Sequence, residues 1–360
     1  MSVGRKVLGT AAGAVGLAAA GAVATAAAKA ANTPRRVSAQ RGVGDQTPFG
    51  SLRSKPLTVV TDDGVDLHVE IDEPQAYGGA AAGEGDLTLV FVHGYSLNLD
   101  CWHFQRAAYR GQVRTVFYDQ RSHGRSGRSA PQHATIDQLG RDLLTVIEHT
   151  TSGPCVVIGH SMGGMSIIAA AQQFPDVFGE RIVATGLVST TAGGLDPGRI
   201  LFPMVPLGLS STLVRRVVGA LDRSHKLVDW ARNSGRSVSD LVTDRFAFGD
   251  QVPQHYVDFV FDMLNETPFE VIADFYGSFA SLDKFDHLAG LTRCPTAVIC
   301  GTADRITAIG HSRKLHSRIA GSSLMECQGA GHMVLLERHE DVNDEIDDLI
   351  ELAHMRLEAS

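Results

Sequence analysis

The stretch Cys155-Val156-Val157-Ile158-Gly159-His160-Ser161-Met162-Gly163-Gly164 decides how the rest of the chain is read. Four consecutive apolar residues ahead of a turn signal suit a strand buried on both faces. Gly159, Ser161 and Gly163 then follow the pattern G-x-S-x-G, and a helix-like apolar run begins directly after them. Small residues two positions either side of a serine permit a tight turn that lifts its hydroxyl above the strand end. The following helix aims its positive N-terminus at the same place. Ser161 is therefore the candidate nucleophile, with Gly159 and Gly163 shaping the turn. The plain alternative is a glycine-rich turn without chemistry, and the strand–turn–helix setting weighs against it.

A serine hydroxyl needs a base to become a nucleophile. His332 qualifies in Gly329-Ala330-Gly331-His332-Met333, a glycine-rich turn directly after the last expected strand and before the final helix. The other histidines read as surface or capping residues, and His160 is expected to point away into the interior. A carboxylate must hold the base in the right tautomer. Asp304, in Cys300-Gly301-Thr302-Ala303-Asp304, sits just past the seventh expected strand, while Asp196, after the sixth, is an alternative position for such an acid. The order is Ser, Asp, His, with 143 residues from Ser161 to Asp304 and 28 more to His332. An oxyanion also needs donors. Phe91-Val92-His93-Gly94-Tyr95 closes the third strand, so the backbone N–H groups of Tyr95 and Met162 are the expected pair, with His93 and Gly94 orienting the loop.

Outward from this turn, β-rich runs at 57–61, 65–72, 87–92, 113–118, 154–159, 182–188, 296–300 and 323–327 alternate with helical patterns at 135–150, 163–174 and 340–357. That alternation predicts an α/β fold with a mostly parallel sheet, opened by a hairpin of the first two strands. Residues 193–285 interrupt it with helical patterns at 211–222, 254–264 and 268–280 and no convincing strand. We read them as an inserted helical cap or lid between two parts of the core, 57–192 and 286–360. Ten of the chain's 23 aromatic residues fall between Phe246 and Phe285, which suits either an apolar substrate chamber or the cap's own core.

Composition narrows the classes. The 360 residues are 44% hydrophobic and 20% charged, with a net charge of −8, so neither a disordered chain nor a nucleic-acid binder is expected. Five widely spaced cysteines exclude a disulfide scaffold and a cysteine-rich zinc site. A bridge between Cys300 and Cys327, at the ends of neighbouring expected strands, is conceivable in an exported protein. Residues 1–30 hold a run of 22 uncharged positions, 7–28, of which 11 are alanine. As a helix this run spans roughly 33 Å, about the thickness of a bilayer core. It reads as a membrane anchor or export-signal-like segment, with a soluble low-complexity tail as the plain alternative. Lys29, Arg35, Arg36 and Arg41 follow it, which favours a cytoplasmic body, whereas cleavage near Ala28-Lys29-Ala30 would export it. Residues 31–56, with Pro34, Pro48 and Pro56, read as a linker.

From about 57 to 357 the chain resembles the α/β-hydrolase superfamily, in particular its single-chain, cap-containing serine esterases and lipases. The resemblance is carried by His93-Gly94-Tyr95, Trp102, Tyr118-Asp119-Gln120-Arg121-Ser122-His123-Gly124-Arg125-Ser126, the Ser161 turn, Gly301-Thr302-Ala303-Asp304, Gly331-His332-Met333, Glu337 and Glu340-Asp341-Val342-Asn343. It implies an eight-stranded, mostly parallel sheet flanked by helices and a nucleophilic mechanism through an acyl-enzyme, but not a substrate. Within the serine branch hydrolysis of carboxylic esters is the commonest expectation, and the aromatic-rich cap suits an apolar acyl group. Neither cofactor nor metal is implied, and the partner is a small-molecule or lipid-like ester. Cofactor-free perhydrolysis and thioester or acyl-transfer chemistry share the same residues, and a non-catalytic ligand-binding protein shares the fold. Two departures stand out: Ser122 replaces a common glycine, and no proline closely follows His93-Gly94, so the Tyr95 loop is expected to be shaped differently.

Overall fold

A computed structural model of the chain describes residues 37–75, 87–195 and 246–359. The apolar run 7–28, the helical pattern at 211–222 and Asp196 lie outside the described residues. Eight strands occur among the described residues: β1 Pro56–Val60, β2 Asp66–Asp72, β3 Thr88–Val92, β4 Arg114–Tyr118, β5 Cys155–His160, β6 Ile182–Val188, β7 Thr296–Gly301 and β8 Ser323–Cys327. The helices are α1 His103–Tyr109, α2 Ile136–Thr150, α3 Met162–Gln173, α4 Gln254–Glu266, α5 Phe269–Ala280, α6 Ile309–Arg318, α7 Val334–Glu337 and α8 His339–Ala359.

The strands form one sheet in the order β1-β2-β4-β3-β5-β6-β7-β8. β1 and β2 are antiparallel, β2 meets β4 antiparallel, and every later pairing is parallel. The reason lies in the side chains. β3, β5 and β6 are buried at every position, as strands covered by helices on both faces must be. Val90, Val92, Val116 and Val157 of the sheet share a core with Leu143, Val146 and Ile147 of α2 and Ile167 and Ile168 of α3. Because β3, β5, β6 and β7 run the same way, the loops that follow their C-terminal ends share one edge of the sheet. That edge is where α/β sheets place ligands.

The inserted segment leaves and returns at one point. Gly193 and Asp283 form an antiparallel bridge, and Lys284 N donates to the Ala192 carbonyl at 2.7 Å. Its described helices α4 and α5 are separated by Thr267 and Pro268, a residue suited to starting a helix because it has no N–H to leave unpaired.

The stretch expected as a linker belongs, from Ser38 onward, to the same compact unit as the sheet. Its backbone is tied down: Ala39 N donates to the Asp347 carboxylate, and Gln40 N to the Ala108 carbonyl at 3.0 Å. Phe49 stacks on Phe259 of α4 with ring centres 4.3 Å apart. Proline and glycine content made this segment look like a spacer, but one aromatic side chain and a few backbone donors suffice to seat it. All five cysteines are free and buried, so Cys300 and Cys327 form no bridge. Among the described residues no helix is long and apolar enough to cross a membrane.

Candidate active site

Ser161 stands between β5 and α3 with φ 51° and ψ −114°. Residues other than glycine rarely adopt this backbone, and it persists only where the surroundings impose it. The impositions are visible. Ser161 N donates to the Val188 carbonyl at 2.9 Å, and the Thr190 hydroxyl donates to the Ser161 carbonyl at 2.6 Å. A Cβ at Gly159 would lie 2.5 Å from the Gly163 carbonyl carbon, and one at Gly163 would overlap the Val92 carbonyl oxygen. Both glycines are therefore dictated by close approach of backbone, as the pattern at 159, 161 and 163 suggested.

Asp304 and His332 come from the loops after β7 and β8 and meet directly. His332 Nδ1 lies 2.9 Å from Asp304 Oδ2, with both side chains buried. The Asp304 carboxylate is fully engaged: Oδ1 accepts from Ile306 N at 2.8 Å and Thr307 N at 2.9 Å, and Oδ2 also accepts from the Thr307 hydroxyl at 2.8 Å. Burial pushes this carboxyl up, but the facing His332 and the donors from Thr307 and Ile306 outweigh it and hold it below the usual carboxylate range. Thr307 Oγ1 is also 3.4 Å from His332 Nδ1, so it touches both members of the pair.

His160 is completely buried, pointing inward as expected, but it is not idle. Its Nε2–H donates to the His332 carbonyl at 3.0 Å, and its ring lies 4.8 Å from the His332 ring. The residue beside Ser161 thus holds the backbone of His332. Burial first, and His332 second, push its pKa down to about 3, so it stays neutral.

The expected oxyanion donors sit at the end of β3 and the start of α3. Among the described residues neither the Tyr95 nor the Met162 N–H has an intramolecular acceptor. Met162 is the first residue of α3, where backbone N–H groups lack helical partners. The peptide joining Gly94 to Tyr95 is oriented from its other side. Its carbonyl accepts from His93 Nδ1 at 2.7 Å and from Leu97 N at 3.3 Å. The second ring nitrogen of His93 accepts from Gln120 N at 2.8 Å, while Gln120 Nε2 donates to the His93 carbonyl at 2.7 Å. Ser166 of α3 donates its hydroxyl to Gln120 Oε1 at 2.9 Å, closing a brace between two loops and the helix. His93 is therefore neutral, its pKa pushed down to about 3, chiefly by burial.

Both departures from the family pattern have structural counterparts. Ser122 has φ 65°, the conformation for which glycine is the easy choice, and its hydroxyl accepts from Ser129 N at 3.0 Å. Ser96, next to Tyr95, also has a positive φ of 55°. The sequence reading did not single out Thr307 and Thr190, because a hydroxyl in a loop carries no pattern of its own, and it gave Gln120 no role beyond its place in the stretch that resembles the family.

A buried apolar cluster packs beside the loop that carries Tyr95. Met162 and Met165 of α3 pack with Val271, Phe275 and Phe279 of α5 and with Leu282, and the Tyr95 side chain joins them. Among the described residues no group of three or more His, Cys, Asp or Glu is arranged to hold a metal ion.

Residues 89–345 match the alpha/beta hydrolase family. The chain belongs to the α/β-hydrolase family. Among its relatives is the dihydrolipoyllysine-residue acetyltransferase component of an acetoin-cleaving system of Pseudomonas putida, 25% identical over 265 residues. That match covers 73% of this chain and 63% of the relative, so the α/β-hydrolase chain spans less than two thirds of that protein's length. A thermophilic esterase from Thermogutta terrifontis superposes with a TM-score of 0.65 at 22% identity, covering 84% of this chain and all of the esterase. The enol-lactonase from Burkholderia xenovorans gives 0.63 at 24%, over 82% of this chain and all of the lactonase. At these identities the two structures share the α/β-hydrolase fold with this chain.

Proposed function

We propose that this α/β-hydrolase cleaves carboxylic esters by acyl transfer to Ser161. The observation that carries the reading is the buried 2.9 Å pair of His332 and Asp304 on loops at the same sheet edge as the strained Ser161 turn. In the proposed reaction His332 takes the Ser161 proton as the hydroxyl oxygen attacks the ester carbonyl. The carbonyl π electrons move onto oxygen, and that oxyanion is held by the Tyr95 and Met162 N–H groups. Collapse expels the alcohol, which receives the proton from His332. Water, deprotonated by the same histidine, then attacks the acyl-serine, and the second collapse releases the acid and restores the Ser161 hydroxyl. Asp304 stays ionised and stabilises the imidazolium.

The apolar cluster of Met162, Met165, Phe275 and Phe279 beside the Tyr95 loop favours an acyl group of apolar character. The Thermogutta and Burkholderia proteins, an esterase and an enol-lactonase, agree with ester chemistry. Association with a membrane rests on residues 7–28 alone, and co-flotation of the full chain with lipid vesicles, compared with a chain lacking 1–30, tests it.

The deciding experiment is hydrolysis of p-nitrophenyl esters, from two to sixteen acyl carbons, by the full chain and its Ser161→Ala variant. Turnover lost in the variant is the expected result, with the preferred chain length sizing the acyl site. A folded full chain that turns over none of these esters overturns the proposal.

A further inference from the structure

Two helices of the inserted segment grip the loop that carries the Tyr95 N–H. The Tyr95 hydroxyl donates to the carbonyl of Ile272 in α5 at 2.8 Å. Its ring stands edge-on to Phe279, with centres 4.9 Å apart, and to Phe275 at 6.2 Å. Three residues later, Asn98 Nδ2 donates to Glu266 Oε2 at the end of α4, at 2.9 Å. The other Asn98 amide atom is already used, accepting from Asp100 N at 2.9 Å. Between the two anchors lies Ser96 with its positive φ. A serine in that conformation relaxes unless it is held from both sides.

From these contacts we infer that Tyr95 and Asn98 are positioning residues, through which α4 and α5 hold the Tyr95 N–H where an oxyanion develops. Because the phenol hydroxyl is committed to Ile272, the side chain acts through the loop and does not touch the oxyanion. His93 and Leu97 fix the peptide from its carbonyl side; the two helices fix the stretch that follows it. Displacing the helices frees the strained turn and misaligns a donor whose full loss costs about 100- to 1,000-fold in rate. The apolar residues Val271, Phe275 and Phe279 of α5 and the oxyanion donor are then tied to one element. This inference rests on the reading of Ser161 as nucleophile.

The test compares esters with the matching thionoesters, in which sulfur replaces the carbonyl oxygen and gains little from N–H donors. The full chain, Tyr95→Phe, Glu266→Ala and Glu266→Gln are assayed for kcat and KM on both. Tyr95→Phe is expected to lower ester kcat about tenfold with KM within about twofold, and to lower the ester-to-thionoester rate ratio by a similar factor. Glu266→Ala, at an exposed position away from the chemistry, is expected to lose about threefold. Glu266→Gln, which keeps an oxygen acceptor for Asn98, should restore that loss. Equal losses on ester and thionoester, or unchanged kcat in both Tyr95→Phe and Glu266→Ala, overturn the inference alone. If Tyr95→Phe does not fold, the two Glu266 variants decide by the same ratio. No turnover by the unaltered chain, or undiminished turnover by Ser161→Ala, overturns the underlying reading of Ser161 as well.

Discussion

The carbonyl of His332 accepts the Nε2–H of His160 at 3.0 Å, so the residue adjacent to Ser161 also fixes the backbone of the proposed base. One buried imidazole thereby registers the loop after β8 against the turn after β5. His160→Phe keeps a ring of similar size and removes the donor. It should cost about 1–3 kcal/mol of stability, through the unpaired carbonyl, and roughly 10- to 100-fold in kcat/KM, through misplacement of His332. Chemical denaturation and ester kinetics on the same variant check both figures.

The carboxylate partner gives a second expectation. Asp304→Asn leaves an amide in the place of a charge that steadies the imidazolium, and it permits the wrong tautomer of His332. The loss in kcat/KM should be about 1,000- to 10,000-fold, with the fold intact by circular dichroism.

Thr307 offers a finer probe, because its hydroxyl donates to the same Asp304 oxygen that His332 uses. Thr307→Val withdraws that donor and leaves part of the buried carboxylate unpaired. Ester kinetics on the variant should show kcat/KM lower by about 2- to 10-fold with the fold intact by circular dichroism. An unchanged kcat/KM would show that Thr307 does no more than pack.

Acid stability should be governed in part by three buried neutral histidines. Burial holds His93 and His160 to about 3 and His123 to about 4, against an ordinary value of 6.5. Between these values the unfolded chain binds protons that the native chain refuses, so stability rises with pH and falls as pH drops from about 6.5 toward 4. Urea midpoints across that window should decline, with proton uptake on unfolding approaching one per histidine. His160→Phe should reduce the uptake by about one proton.

The backbone of the Ser161 turn predicts intolerance at Gly163. A methyl group there meets the Val92 carbonyl oxygen, a backbone atom that cannot rotate away. Gly163→Ala should lose at least about 2 kcal/mol of stability and most of its activity, measurable by thermal melts and ester turnover.

Much of this is legible in the sequence. The near-continuous apolar runs at 87–92, 154–159 and 182–188 are β3, β5 and β6 to within a residue or so, because a strand buried on both faces has little latitude in composition. The Ser161 turn was equally plain, since its glycines are demanded by contacts within a few residues and with one neighbouring strand. The contacts of Thr307 and the brace of Gln120 and Ser166 were not. Gln120 and Ser166 are polar side chains whose partners lie on another loop or helix, and the Thr307 hydroxyl meets Asp304, three residues away, only through the path of that loop, so nothing in local sequence marks either match. The segment from Ser38 to Pro56 misled for a related reason: its composition is that of a spacer, yet Phe49 finds a ring to stack on in α4.

Local sequence, then, determined the alternation of strands and helices, the strained turn at Ser161, and the order in which Ser161, Asp304 and His332 occur. Those features follow from burial periodicity and from steric limits that act over a few residues. Tertiary structure alone decided that Asp304 and His332 meet at 2.9 Å, that His160 braces His332, and that α4 and α5 hold the Tyr95 loop. A hydrogen bond reaches about 3 Å, and only the folded sheet edge brings residues 28 to 177 positions apart within that reach.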